Sequence, residues 1–360
     1  MLQKFRRSLL GIAAATVSLT SLSAHAAQQY KITDIGVLPG GGDTWTYAIN
    51  DLGAVVGYGS SSEGNRAFLW SGSSLSNLGA LPGAFTSSAH DINNAGTVVG
   101  SSNSKAIIWQ QGSMSELNGL PNASYSHANG INQSGQVIGT SEGQAVVWNQ
   151  GQIKPLGTLS QGWVSVGLDI NDSGASIGTA YSPSYQAHAM LWADSTSTVL
   201  IGLAGSTDSG AIALNNAGVV VGYSGAANRD QAVAWENGAA RLLAPVTGGA
   251  GGRAYDINDD GQIVGFSDFN STFHATSWQD GQAYDLNDWL VNGQGWFLEQ
   301  ALAINASGQI AGVGFIGSQI HAYVLTPIPE PSSLALMGVG LLSLTLTRRR
   351  RPPKASSPTH

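Results

Sequence analysis

Ala254-Tyr255-Asp256-Ile257-Asn258-Asp259-Asp260-Gly261-Gln262-Ile263-Val264-Gly265 is the stretch on which the fold turns. Residues 254–258 read as a short strand, and Asn258 to Gly261 as a turn with glycine where φ must be positive. Residues 262–267 return as a β-branched strand, and after a loop residues 274–278 form a third. Gln279-Asp280-Gly281 turns again, and residues 282–286 make a fourth. Four short antiparallel strands of this kind form one propeller blade.

The same unit, Ile-Asn-x-x-Gly-x-Val-Val-Gly followed by Ala-x-x-Trp, recurs along the chain. Its asparagine falls at Asn50, Asn93, Asn132, Asn171, Asn215, Asn258 and Asn305, with spacings of 43, 39, 39, 44, 43 and 47 residues. Periods near 40 belong to propeller repeats. Trp70, Trp109, Trp148, Trp192, Trp235 and Trp278 close the second half of six copies, with Leu325 in the seventh. These tryptophans are expected in the core. Copy seven stops at Leu325 without a fourth strand, whereas Ile35-Gly36-Val37-Leu38-Pro39-Gly40 mirrors Leu78-Gly79-Ala80-Leu81-Pro82-Gly83 at the end of copy one. Residues 30–35 are therefore expected to pair with residues 322–325, completing the last blade and covering a sheet edge. The expected fold is an all-β, seven-bladed β-propeller of four-stranded antiparallel blades, closed by the N-terminal strand. An open β-solenoid is the alternative, but it needs no permuted end.

The composition agrees. Only 10% of the 360 residues are charged, 48 are glycine and none is cysteine. That excludes disulfide scaffolds, thiolate zinc sites and cysteine nucleophiles. Between residues 27 and 328 there are 7 basic and 21 acidic residues, a net charge of −14. A phosphate backbone needs clustered Lys and Arg, so nucleic acid is excluded as a partner.

Both chain ends read as addresses. Residues 1–26 have the form of a secretory signal peptide. Lys4, Arg6 and Arg7 precede an apolar stretch, and Ala24 and Ala26 flank His25 at the expected cleavage site. Residues 27–327 are the propeller. Residues 328–351 hold Pro329-Glu330-Pro331, an apolar run read as a transmembrane helix, and the cluster Arg348, Arg349, Arg350 and Arg351. Residues 352–360 form a short tail. This end resembles the PEP-CTERM sorting signal of Gram-negative bacteria. The resemblance implies export across the inner membrane, transient membrane anchoring and removal of the helix by an exosortase. It also implies delivery to the cell surface or medium in organisms that make exopolysaccharide and biofilm. The tail beyond the arginines is a departure from that pattern. The repeats resemble the HAF family of extracellular repeats: His188-Ala189, His274-Ala275 and His321-Ala322 keep the first two residues of its His-Ala-Phe signature, and Arg66-Ala67-Phe68 keeps the last two. That resemblance implies an exported repeat domain and brings no catalytic residues.

Several patterns that could carry chemistry read as structural. The repeated histidines occupy one blade position, where Lys105, Gln144 and Gln231 replace them; a ring spreads them apart, and a general base would not tolerate such exchange. Asp256, Asn258 and Asp260 fit the first half of a calcium loop, making calcium a weak alternative cofactor, but position twelve is Ser267 where a bidentate Glu belongs. Gly139-Thr140-Ser141-Glu142-Gly143 matches an esterase pattern without the strand-to-helix elbow that pattern needs.

One face stands out. Loops joining strand two to three, and strand four to the next blade, open on the same side. The former span 10, 6, 6, 11, 10, 10 and 10 positions. The latter carry Trp45, Phe85, Tyr125, Trp163 and Phe297. Variable loops bearing aromatics mark a binding side, with exopolysaccharide or a matrix partner as the expected ligand. Rings that merely cap the core are the competing reading. Trp289 and Trp296, in an insertion before copy seven, are expected to extend the surface. A propeller glycosidase or polysaccharide lyase is one alternative function and a purely structural matrix protein another. The acids seen at the repeat turns, Asp51, Asp172 and Asp259, lie on the opposite face, which argues against catalysis.

Overall fold

The computed structural model describes residues 28–226, 229–269 and 272–329. The secretory signal, the apolar C-terminal run and the arginine cluster lie outside them. Seven sheets form: six have four strands each in sequence order, and the seventh has five. Blade 6 consists of Gly251–Ile257, Ile263–Phe269, Thr272–Gln279 and Gln282–Asp285, all antiparallel. Its fourth strand ends one residue before the sequence suggests, where Leu286–Trp289 turns into a 3-10 helix whose N-cap is Asp285.

Blade 7 is made from both ends of the chain. Trp296–Ile304, Ile310–Ile316 and Gln319–Pro327 are its first three strands, and Tyr30–Asp34 is its fourth. The clasp is antiparallel, with Tyr30 opposite Pro327, Ile32 opposite Leu325 and Asp34 opposite Tyr323. The Ile35 amide continues the ladder to the Ala322 carbonyl at 3.1 Å. This is the closure the permuted sequence implies. The insertion adds a feature of its own: Leu290–Val291 pairs in parallel with Tyr30 and Lys31, covering the clasp edge. Trp289 stacks on Tyr30 at 6.4 Å and 11°, and Trp296 packs edge-on against Tyr323 at 6.0 Å. These two tryptophans therefore brace the clasp rather than extend the loop-face surface.

The core lies between blades. Val56 and Ala67 of the first blade pack with Ala89, Val98, Ile107 and Trp109 of the second, and similar clusters recur around the ring. All six repeat tryptophans are buried. Four of them also tie blade to blade, because the indole N–H of Trp109, Trp148, Trp235 and Trp278 donates to the carbonyl of Leu78, Asn118, Ile201 and Ala244 in the preceding blade, at 2.7–3.0 Å.

The repeat asparagine does two jobs. Its Oδ1 accepts amides of its own turn, as Asn171 does from Ser173 and Ala175. Its Nδ2 donates to the backbone carbonyl of the asparagine in the next blade, at 3.0–3.3 Å. The contacts run Asn50 to Asn93, Asn132, Asn171, Asn215, Asn258, Asn305 and back to Asn50. A donor on one blade meets an acceptor on the next seven times, and the circle returns to its origin because the ring of blades is closed. The repeat's closing glycine has an equally local cause. Each first strand bulges opposite it, as between Gly167 and Asp169 in blade 4. A Cβ on Gly178 would stand 1.9 Å from the Val166 carbonyl oxygen.

Candidate functional site

The bulges also build the site. The residue each one displaces faces the central channel: Tyr47, His90, Asn129, Leu168, Ile212, Tyr255 and Leu302. Together with Trp45 and Tyr58 they wall a funnel of about 630 Å³ that opens on the loop face. Tyr47 lies 5.8 Å from Tyr58 and meets His90 edge-on at 5.6 Å. Burial and the neighbouring Tyr58 push the Tyr47 hydroxyl up to about 12. The His90 Nδ1–H donates to the Ala128 carbonyl at 2.8 Å, and burial lowers the imidazole pKa, so the ring is neutral near pH 7.

One residue further along each first strand stand Ala48, Asp91, Gly130, Asp169, Ala213, Asp256 and Ala303. Carboxylates thus alternate with small residues at the waist of the channel, and the odd blade count breaks the alternation once, between Ala303 and Ala48. Each aspartate bridges two blades. Asp91 accepts the amides of Ile92 and, one blade on, Ile131, both at 2.7 Å. Asp169 accepts from Ile170 and Leu214, and Asp256 from Ile257 and Ile304. Burial raises all three, with repulsion from Asp169 contributing at Asp91 and Asp256: Asp91 to about 7, Asp169 to about 6 and Asp256 to about 7. The turn acids Asp51, Asp172 and Asp259 lie together at the opposite end of the channel, and these three channel acids are additional to them; the three Asp-Ile-Asn triplets were the available signal. Asp256 and Asn258 spend their side chains on blade joints, while Asp260 is exposed in the turn. The calcium-loop pattern is therefore divided between the channel, the asparagine ring and solvent. Among the described residues no group of three or more His, Asp or Glu side chains is placed to hold a metal ion.

The raised carboxyls make a pH dependence. An acid whose folded pKa exceeds its unfolded value near 4 binds its proton more tightly in the native state, so stability falls as pH rises through the folded pKa. The wild-type melting temperature is expected to increase between pH 8 and pH 5. His90 and His127, whose pKa values burial lowers, oppose this below about pH 6.5. Asp91→Asn with Asp169→Asn and Asp256→Asn is expected to flatten the rise. Calorimetry across that range decides it, and a wild-type midpoint that climbs with pH would contradict the assignment.

The five loop aromatics do not form one cluster. Trp45 lines the funnel. Phe85 is 81% exposed at the first blade junction, Tyr125 stands 6.1 Å from His127, and Phe297 packs edge-on against His274 at 5.1 Å. Trp163 has a partner that the sequence did not single out: Tyr185, from the blade 4 loop, meets it edge-on at 5.4 Å and 84°. Both rings are exposed, 57% and 71%. Two of the repeated histidines take structural partners: His274 pairs with Asp285 at 2.6 Å and His321 with Asp34 at 3.0 Å, and Lys105 with Glu116 fills the equivalent place. Ser141 is buried and accepts the Leu120 amide, and Glu142-Gly143 is a hairpin turn with positive φ at both residues, so the esterase pattern has no elbow.

Residues 327–351 match the PEP-CTERM protein-sorting motif, the signal that exosortases process, which marks an exported, surface-sorted protein. Among the described residues no helix is long and apolar enough to cross a membrane. No curated protein matches the chain. Among solved structures, a puromycin-hydrolyzing peptidase from Mycobacterium tuberculosis is similar at TM-score 0.54 and 12% identity, over 79% of this chain and 52% of that one. This chain thus spans about half the length of that peptidase, and the likeness is one of fold. The β-propeller domain of the Trilobed protease from Pyrococcus furiosus gives 0.46 at 7% identity over 84% and 99%, and a gluconolactonase from Xanthomonas campestris 0.42 at 13% over 85% and 93%. A seven-bladed propeller carrying a C-terminal sorting motif is the identity these observations support together.

Proposed function

We propose that this exported propeller, built of HAF-like repeats, is a non-catalytic binding protein whose loop face takes exopolysaccharide or a matrix partner in biofilm. The observation that carries the proposal is the exposed Trp163–Tyr185 pair, formed by loops of the face onto which the aromatic funnel opens. Large exposed rings cost solvation unless something covers them, and ring faces pack on the C–H surfaces of sugars. Each channel carboxylate already accepts two backbone amides, which fits a scaffold better than a general acid. A glycosidase or lyase is the second reading, favoured by the raised pKa values of those same aspartates.

Retention of residues 27–328 on immobilised exopolysaccharide tests both. Trp163→Ala with Tyr185→Ala is expected to weaken retention about tenfold, the order of one lost aromatic contact. Unchanged retention in that variant, or none by the wild type, removes the binding face as drawn. Release of new reducing ends that Asp169→Asn abolishes would turn the assignment to the enzyme.

A further inference from the structure

We infer that a cleft between blades 3 and 4, on the face opposite the funnel, binds the acetamido group of a neutral N-acetylated hexosamine. Trp109, Trp148, Trp235 and Trp278 each give their indole N–H to an amide carbonyl of the preceding blade. Trp192 occupies the same place in blade 4 and is 4% exposed, yet its buried indole N–H has no hydrogen-bond partner among the described residues. The carbonyl that corresponds to the Leu78 acceptor, that of Leu156, instead receives the Ser197 hydroxyl at 3.4 Å, and the next one, that of Gly157, receives the Ser165 hydroxyl at 3.1 Å. A buried donor without an acceptor is a rare feature, and its four sisters show that the missing group is an amide carbonyl.

Trp192 lines a cavity of about 730 Å³. Val147, Pro155 and Leu156 supply an apolar wall that suits a methyl group, and Gln152, Ser195 and Thr196 supply neutral groups that can both donate and accept. Lys154 and Asp194 bring one charge of each sign, so the cleft favours a neutral ligand over an ionised one. An acetamido sugar joins these features in one molecule: a carbonyl for the indole, a methyl for the wall and hydroxyls for the rim. A peptide has the carbonyl without the hydroxyls. None of the loop-face aromatics lines the cleft, so this site stands or falls separately from the function proposed above.

Indole N–H resonances of ¹⁵N-labelled residues 27–329, with Trp192 assigned through Trp192→Phe, provide the test. In the free protein the Trp192 proton is expected upfield of the four hydrogen-bonded indoles. N-acetylglucosamine should move it downfield in a saturable way, while glucose leaves it in place. Ser197→Ala frees the Leu156 carbonyl for the indole and should weaken binding about tenfold, the order of one hydrogen bond to a buried donor. Trp163→Ala should leave the titration unchanged. The dispersed remaining indole signals report folding, and if Trp192→Phe fails to fold, assignment by Trp192→Tyr and binding by Ser197→Ala carry the test. No saturable shift, an equal shift with glucose, or tighter binding of N-acetylglycine methylamide, which would hand the cleft to a peptide, each overturns the assignment.

Discussion

Removal of residues 28–38 is expected to lower the melting temperature of the propeller by on the order of 10 °C or more and to make it self-associate. The segment contributes the whole fourth strand of blade 7 and the buried side chains of Tyr30, Ile35 and Leu38. Each such side chain stabilises the fold by about 1.5–3 kcal/mol through apolar burial alone, and a kilocalorie moves the midpoint of a domain of this size by about 2 °C. The loss also bares the edge of Gln319–Pro327, an unpaired strand that templates association. Calorimetry and light scattering on the truncated and intact domains measure both effects. A synthetic peptide of residues 28–38 added in trans should raise the midpoint in proportion to its occupancy. Equal melting of the two proteins would mean that the ring does not depend on its clasp.

The second large effect is expected at a single atom. Gly178→Ala places a methyl 1.9 Å from the Val166 carbonyl oxygen and 3.0 Å from its carbon, both backbone atoms of the bulged strand. Neither can swing away as a side chain would, so the ladder between Val164–Ile170 and Ser176–Tyr181 must shift. The cost is expected to exceed the roughly 1–3 kcal/mol of ordinary overpacking. Gly72→Ala is the control: its Cβ meets nothing within 4 Å, and only its φ of 88° resists substitution, which costs about 1–2 kcal/mol. Chemical denaturation of the two variants separates close approach from backbone conformation. Gly178 has no positive φ, so a loss in Gly178→Ala no larger than in Gly72→Ala would show that the ladder relieves the close approach at little cost.

Much of this was legible in the chain. The Asn-x-x-Gly turns, the β-branched returns and the displaced final strand are local patterns, and each acts over a few residues. The tryptophans announced the core because their period matched the blade. Less legible was the purpose of the asparagine, which reads as a turn former and is one, as Asn171 shows with Ser173 and Ala175. Its second role needs a carbonyl from the next repeat, 44 residues on at Asn215. The insertion tryptophans misled for a similar reason: Trp289 is paired with Tyr30, which the sequence places more than two hundred residues away.

By itself, then, the sequence determined a closed ring of seven equivalent sheets and its sorting motif, because strand periodicity, turn chemistry and the permuted end are properties of short segments. Only the tertiary structure decided which groups meet: three aspartates at the channel waist, the exposed Trp163–Tyr185 pair, and an indole left without the carbonyl its sisters hold. The physical reason is that each of these depends on groups that separate strands, loops or blades bring together, which no short segment specifies.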